Sequence, residues 1–390
     1  QKAEAQARES QIQLALERVR ARTMAMQHSS ELREIAAAVH EQLQGLGFTS
    51  GFCSIVIMDR ITGDMTWWMF FPGKEYPESY DMHFFEHPFY LAQLNKWKQG
   101  EKYSVVEVSG EEKKSYDKHV FSQTEFVKVP IESQQFMMSF EKIIFSNAYM
   151  KHGAFSWGVD PIDDEHAAVL QRFANVFEQC YTRFLDLQKA EAQAREAQIE
   201  AALERVRSRT LAMQKSDELA ETAAVLFQQL IALGIEPNRL YIAIVKDAQG
   251  LSEFWITEED GTKVSTAFSA DLNNNESFIK MLEGWKQQQK SLVIDMQGEE
   301  LQNYFHHLTS LGVPFKGGLQ QKRRVQDIAY FSKGFIGMAS PDEQPAETRL
   351  LLERFAAVFN LTFTRFNDLK IAEAHALQAE KDLIAIKEAK

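Results

Sequence analysis

The sequence predicts an α+β chain of two tandem domains, each an antiparallel sheet flanked by helices, joined by long coiled-coil-forming helices. Three observations predict it. Residues 1–27 recur at 188–214 with 22 of 27 positions identical. Proline and glycine are absent from the 71 residues between Asp163 and Leu233, and from 1–44 and 346–390. These residues punctuate helices, so their absence marks three long ones. Between the helices lie short β-branched and apolar runs bounded by turn residues, which read as strands.

The repeat fixes the organisation. Its offset of 187 residues is too long for a solenoid, so the unit is a whole domain with its leading helix. The likeness continues in WKQGEKYSVVEVSGEE from Trp97 and WKQQQKSLVIDMQGEE from Trp285, each followed by a Tyr-x-x-His, Tyr116/His119 and Tyr304/His307. Both units close alike, RFANVFEQCYTRFLDL at 172–187 and RFAAVFNLTFTRFNDL at 354–369. The predicted parts are a leading helix over 1–29, a first domain over 30–187, a linker helix over 188–216 and a second domain over 217–369. Residues 370–390 form a last helix leading to a further module. The start at Gln1 without a signal peptide is expected of a piece of a longer protein.

In the leading helix Ile12, Leu16, Val19, Thr23 and Met26 step by four and three, and Ile199, Leu203, Val206, Thr210 and Met213 repeat the pattern. Such a narrow heptad seam suits a coiled coil, and the preferred partner is the same helix of a second chain in a parallel homodimer. The alternative is that the seam packs back on its own domain. A second seam, Leu170, Phe173, Phe177, Cys180, Phe184 and Leu187, is expected to cover a sheet as well. Its phase does not lead to Ile199, so the register is expected to shift near 188–198, where a movement of the helix becomes a signal.

Ser30 and Asp217 stand where a side-chain oxygen caps a helix N-terminus, ahead of helices over about 31–44 and 218–233. GFCSIVIMD (51–59) turns through Thr62-Gly63 into MTWWMFF, and RLYIAIVKD (239–247) turns through Gly250 into LSEFWIT, two hairpins. Helices near 88–98 and 276–287 follow, then strands YSVVEV and SLVIDM, then the helix with Tyr-x-x-His. Further strand-like runs lie at 136–149 and 153–159, and at 325–331 and 334–339. Each unit ends in a long helix.

This order of helix, hairpin, helices, hairpin and closing helix resembles the GAF family, close kin of PAS domains. The linkers ALERVRARTMAMQHS and ALERVRSRTLAMQKS resemble segments preceding GAF-like domains in bacterial sensor histidine kinases. The likeness spans nearly the whole chain. It implies a sensory and signal-relay region of a two-component signal-transduction protein, dimerised through its terminal helices.

Bulk properties agree with a cytoplasmic, non-catalytic role. A formal charge of −12 opposes binding to nucleic acid or to an anionic membrane surface. Two cysteines, Cys53 and Cys180, exclude a disulfide framework and fit a reducing compartment. No apolar run reaches the roughly 20 residues of a membrane span. Of the ten histidines none has the surroundings of a phosphoacceptor, and no DxGxG of a kinase ATP site occurs. His83-Phe84-Phe85-Glu86-His87 has H-x-x-E-H spacing, but Pro88 follows at once and the second unit has Asp271 and Asn275 at the two histidine positions. No metal is assigned, and no cofactor is required. Gly317-Gly318 lacks the Lys-Ser/Thr of a phosphate loop, and Lys322-Arg323-Arg324 reads as solvated loop charge.

A small-molecule pocket between sheet and helices remains, with candidate walls Trp67, Trp68, Phe70, Tyr116, His119 and Trp157 in the first domain. In the second they are Phe254, Trp255, Tyr304 and His307. The competing account is that these aromatics fill the cores. The first domain, richer in aromatics, is the preferred ligand holder. The alternative function is a dimerisation scaffold with ligand-silent domains.

Overall fold

The computed structural model describes residues 2–48, 52–70, 77–215, 218–237, 239–246, 249–258, 264–315 and 318–388. Asp217, Gly317 and most of the run after Phe70 lie outside them. The chain divides into two compact units, Gln1–Gln193 and Ala194–Lys390.

The first unit runs α1 (Lys2–Ala25), α2 (Leu32–Gly45), β1 (Phe52–Met58), β2 (Met65–Met69), β3 (Glu78–Met82), α3 (Pro88–Lys98), β4 (Tyr103–Ser109), α4 (Gly110–Gln123), α5 (Ile131–Ser139), β5 (Lys142–Met150), β6 (Gly153–Val159) and the first part of α6 (Asp164–Ala212). Two three-stranded meanders join through a central β1·β6 pair, giving the antiparallel order β3-β2-β1-β6-β5-β4. One face carries α1, α2 and α6, whose Leu16, Val19, Leu32, Val39, Phe173 and Phe177 share a core with Cys53, Ile55 and Phe155. The other face carries α3, α4 and α5 over Val56, Trp67, Phe145 and Ala154. Covered on both sides, β5 is buried at eight consecutive positions, Ile143 to Met150.

The second unit repeats the plan. The rest of α6 leads to α7 (Leu219–Ala232), β7 (Arg239–Val245), β8 (Leu251–Thr257), β9 (Val264–Asp271), α8 (Glu276–Lys286), β10 (Ser291–Gln297), α9 (Gly298–Ser310), β11 (Arg323–Phe331), β12 (Gly334–Ser340) and α10 (Ala346–Glu388). Its sheet order is β10-β11-β12-β7-β8-β9. The tight turns into β6 and β12 need glycine, because a Cβ on Gly153 would stand 1.8 Å from the Val56 carbonyl oxygen, and on Gly334 1.9 Å from that of Ala243.

The heptad seams are spent inside each unit. Ile12, Leu16, Val19, Thr23 and Met26 are buried in the first unit, with the Thr23 hydroxyl 2.5 Å from Cys180 Sγ of its own closing helix. Leu203, Val206, Thr210 and Met213 are buried likewise, Ile199 is half-buried, and Thr210 Oγ1 lies 2.5 Å from Thr362 Oγ1 of α10. The reading of these residues as an interchain dimer seam is therefore corrected. A four-three spacing buries one stripe of a helix against any helical partner, and here α2 and the closing helix supply it.

Two smaller expectations change. The run 136–149 is not all strand, because Pro130 opens helix α5 and Gln134 Nε2 donates to the Val129 carbonyl at 2.7 Å. Ser30 is not the cap of α2; the Glu31 carboxylate accepts the N–H groups of Gln27 at 3.0 Å and His28 at 2.8 Å. Glu218 does the same for Gln214 and Lys215.

Candidate ligand chambers

Strand alternation decides which aromatics can meet. Neighbouring residues on a strand point to opposite faces, so Trp67 and Trp68 cannot line one cavity. Trp67 faces α3–α5, whereas Trp68, Phe70 and Trp157 pack on the α1/α2/α6 side. There Phe70 stacks on His40 with centroids 4.3 Å apart, and Trp157 meets Phe48 edge-on at 5.1 Å. In the second unit Phe254 faces α8 and α9, and Trp255 the opposite core.

A cavity of about 40 Å³ remains under α3–α5 in the first unit, lined among others by Trp67, Met69, Met82, Phe89, Tyr116 and Phe145. Of the predicted walls it brings together Trp67 and Tyr116. His119 stands back, stacked on Phe85 at 3.9 Å. The cavity is apolar apart from a few groups. Burial pushes the Tyr116 hydroxyl far above its ordinary range. Asp117 is raised too, burial outweighing its bond to the buried Lys113, which also donates to the Met137 carbonyl at 3.1 Å. Trp67 is 3% exposed, and its Nε1 has no hydrogen-bond partner among the described residues.

The matching cavity of the second unit is smaller, about 20 Å³, and is lined by Tyr241, Phe254, Tyr304, Arg239 and Arg324 among others. Part of its polarity is satisfied within the unit. Tyr241 donates to Gln326 Oε1 at 2.9 Å, and Gln326 Nε2 donates to the Tyr304 hydroxyl at 3.1 Å. Arg239 donates to the Pro314 carbonyl and Arg324 to Gln321 Oε1. His307 lies beside the cavity, edge-on to Phe278 at 5.2 Å, with burial lowering its pKa.

His87 and His83 are placed apart in role. His87 Nδ1 accepts the Phe89 N–H at 3.2 Å as the cap of α3, while His83 is exposed beside Asp64. Among the described residues no group of three or more His, Cys, Asp or Glu side chains could hold a metal ion. No helix among them is long and apolar enough to cross a membrane. Sequence reasoning missed the fully buried Gln93 of α3 and Ser54 of β1, whose polar atoms, on the chamber side of the sheet, have no partner among the described residues. Small polar residues inside otherwise apolar strand runs were the available signal.

No family model matches the chain, and no curated protein matches it. Among solved structures, a bacteriophytochrome from the photosynthetic bacterium R. palustris aligns with 9% identity and a TM-score of 0.30, covering 84% of this chain. The aligned part spans 61% of that chain. At that score the likeness carries no functional reading across.

Proposed function

We propose that this chain is a non-catalytic sensory and relay region of a signal-transduction protein, built from two GAF-like domains. In this reading the first unit's chamber takes a small molecule and α6 carries the consequence to the second unit. The linker likeness favours a bacterial sensor histidine kinase as the parent protein, and the proposal extends to a cytoplasmic location and a parallel homodimer. One observation carries the reading. The single helix α6 supplies Phe173, Phe177 and Cys180 to the core of the first unit and Leu203 and Val206 to that of the second. A ligand that favours one packing of the first core a hundredfold makes about 2.7 kcal/mol available to bias that helix.

The test is native mass spectrometry of the chain purified without denaturation, followed by hydrogen exchange on loaded and stripped samples. A bound molecule whose removal changes exchange over 199–213 supports the proposal. A bare chain that no small molecule alters leaves the dimerisation scaffold, a reading that the self-filled chamber of the second unit favours for that unit.

A further inference from the structure

We infer that the first unit holds a site for a small uncharged molecule of the lactam type, one that both donates and accepts hydrogen bonds, over a polar row on its sheet. The inference rests on the reading of that unit as the ligand holder and names the chemistry of what it holds.

The row follows from the strand register. Ser54 of β1 pairs with Ser156 of β6, Ser156 with Asn147 of β5, and Asn147 with Ser104 of β4. Registered partners share a face. That face is the one under α3–α5, since Val56, Ala154, Phe145 and Val106, two residues along on each strand, belong to that core. The first three are wholly buried and Ser104 nearly so. Four polar side chains thus run in line across the middle of a buried sheet.

Part of this polarity is satisfied internally. Ser156 Oγ donates to Asn147 Oδ1 at 2.5 Å, and the Ser104 and Tyr149 hydroxyls meet at 3.0 Å. Among the described residues Ser54 Oγ has no partner, nor has either polar atom of Gln93, which lies wholly buried on α3 among Phe89, Tyr90, Leu94 and Trp97. Trp67 Nε1 is the fourth such atom; its strand neighbour Met69 pairs with Ser54. Unmatched buried polar atoms are rare, and each one invites an explanation.

The second unit shows that the scaffold does not need them. At the positions of Ser54, Ser156, Asn147 and Ser104 it has Tyr241, Gly337, Ile328 and Leu292 in the same register. Met281 stands where the first unit has Gln93. The Tyr241 ring lies over Gly337 so closely that a Cβ there would be 2.0 Å from Cζ. The first unit has a side chain, Ser156, at that position, and so excludes a ring from position 54. One copy covers its row with its own phenol; the other leaves the row polar.

The unmatched atoms describe the guest. Gln93 offers an N–H and a C=O in either orientation of its amide, which a cis amide answers with a reciprocal pair of bonds. The Trp67 N–H is a further donor for a carbonyl, and the Ser54 hydroxyl serves either way. Lys113 and Asp117 bond to each other, so an ion would enter this core without a counter-charge, which disfavours charged guests. The neighbouring cavity of about 40 Å³, bordered by Trp67 and Met69 but not by Gln93 or Ser54, is below the ~150 Å³ that holds benzene, so a ring reaches the polar row only as Met69, Met82 and Met137 swing aside, as methionine readily does.

The experiment uses the whole chain with three probes of similar size, 2-pyridone, benzene and benzoate, read by saturation-transfer NMR and by thermal shift. Expected is binding of 2-pyridone in preference to both others, weakened at least tenfold in Gln93→Met with no loss of melting temperature. Equal binding of pyridone by Gln93→Met, or preferred binding of benzene or benzoate, overturns the inference while leaving the small-molecule reading intact. Should Gln93→Met melt lower, Ser54→Ala decides, with at least a threefold loss expected and none overturning the inference. No binding by any probe, together with a bare chain in native mass spectrometry, removes both.

Discussion

At the scale of the residue, Gly337 and Tyr241 make a matched pair whose terms can be exchanged. Adding a β-carbon at Gly337 drives it into the Tyr241 ring, and overpacking of this kind costs about 1–3 kcal/mol. Gly337→Ser in the native background is therefore expected to lower stability by about 2 kcal/mol, and by much less in a Tyr241→Ser background, which recreates the Ser54/Ser156 pair. Denaturant titration of the four chains of this cycle measures the coupling; strict additivity contradicts the steric account. The same scale explains why the chamber walls were only half legible. Composition singled out Trp67, Trp68, Phe254 and Trp255 together, but alternation along β2 and β8 divides each pair between two cores. The polar row was harder still, because it exists only once four strands are in register.

At the scale of the element, β11 and α10 are tied by a buried charge. Asp327 is 1% exposed, and its nearest cation, Arg349 of α10, lies at 3.7 Å. Burial raises its pKa above the ordinary 3.8, more than Arg349 lowers it. The folded chain then holds a proton that the unfolded chain has released, so this group makes stability fall as pH rises from about 3.8 through the raised value. Asp327→Asn is expected to be more stable than the parent at pH 7, with the gap closing toward pH 4. Melting temperatures across that range check it, and a constant gap refutes it. Helix α6 yields a second expectation. Nearly every side chain over 188–198 is exposed, whereas 170–180 and 202–213 alternate into cores. Amides of 188–198 should exchange fastest within this helix; uniform protection along it would show that the exposed stretch is held by something else. The long helices were legible because they lack proline and glycine. The edge strand β3 was not, since ESYDM buries only Tyr80 and Met82 and so shows little apolar signal.

At the scale of the molecule, the duplication was plain in the sequence, but the partner of the heptad seam was not. Spacing of four and three residues states only that one stripe of a helix is covered, and it reads the same whether the cover comes from a second chain or from α2 and the closing helix. The structure puts Val19 and Val206 at 0% exposure within their own units. A charge placed there enters a core without a counter-ion, so Val19→Asp and Val206→Asp should each destabilise their own unit by several kcal/mol. A seam between chains predicts otherwise: the variant would remain folded and its mass in light scattering would fall to that of a monomer. The opposite side of the same helices carries Leu14 at 55%, Met24 at 81% and Leu211 at 76% exposure, with Met24 and Leu211 at matched positions of the repeat. Glutamate at these three should leave the melting temperature within about a degree, since exposed substitutions rarely change stability by more than about 0.5 kcal/mol. If the chain self-associates through this face of its helices, the triple variant should lower the mass in light scattering that the aspartate variants lower only by unfolding. A mass unchanged by the glutamates and halved by a folded Val19→Asp chain would return the seam to the dimer interface.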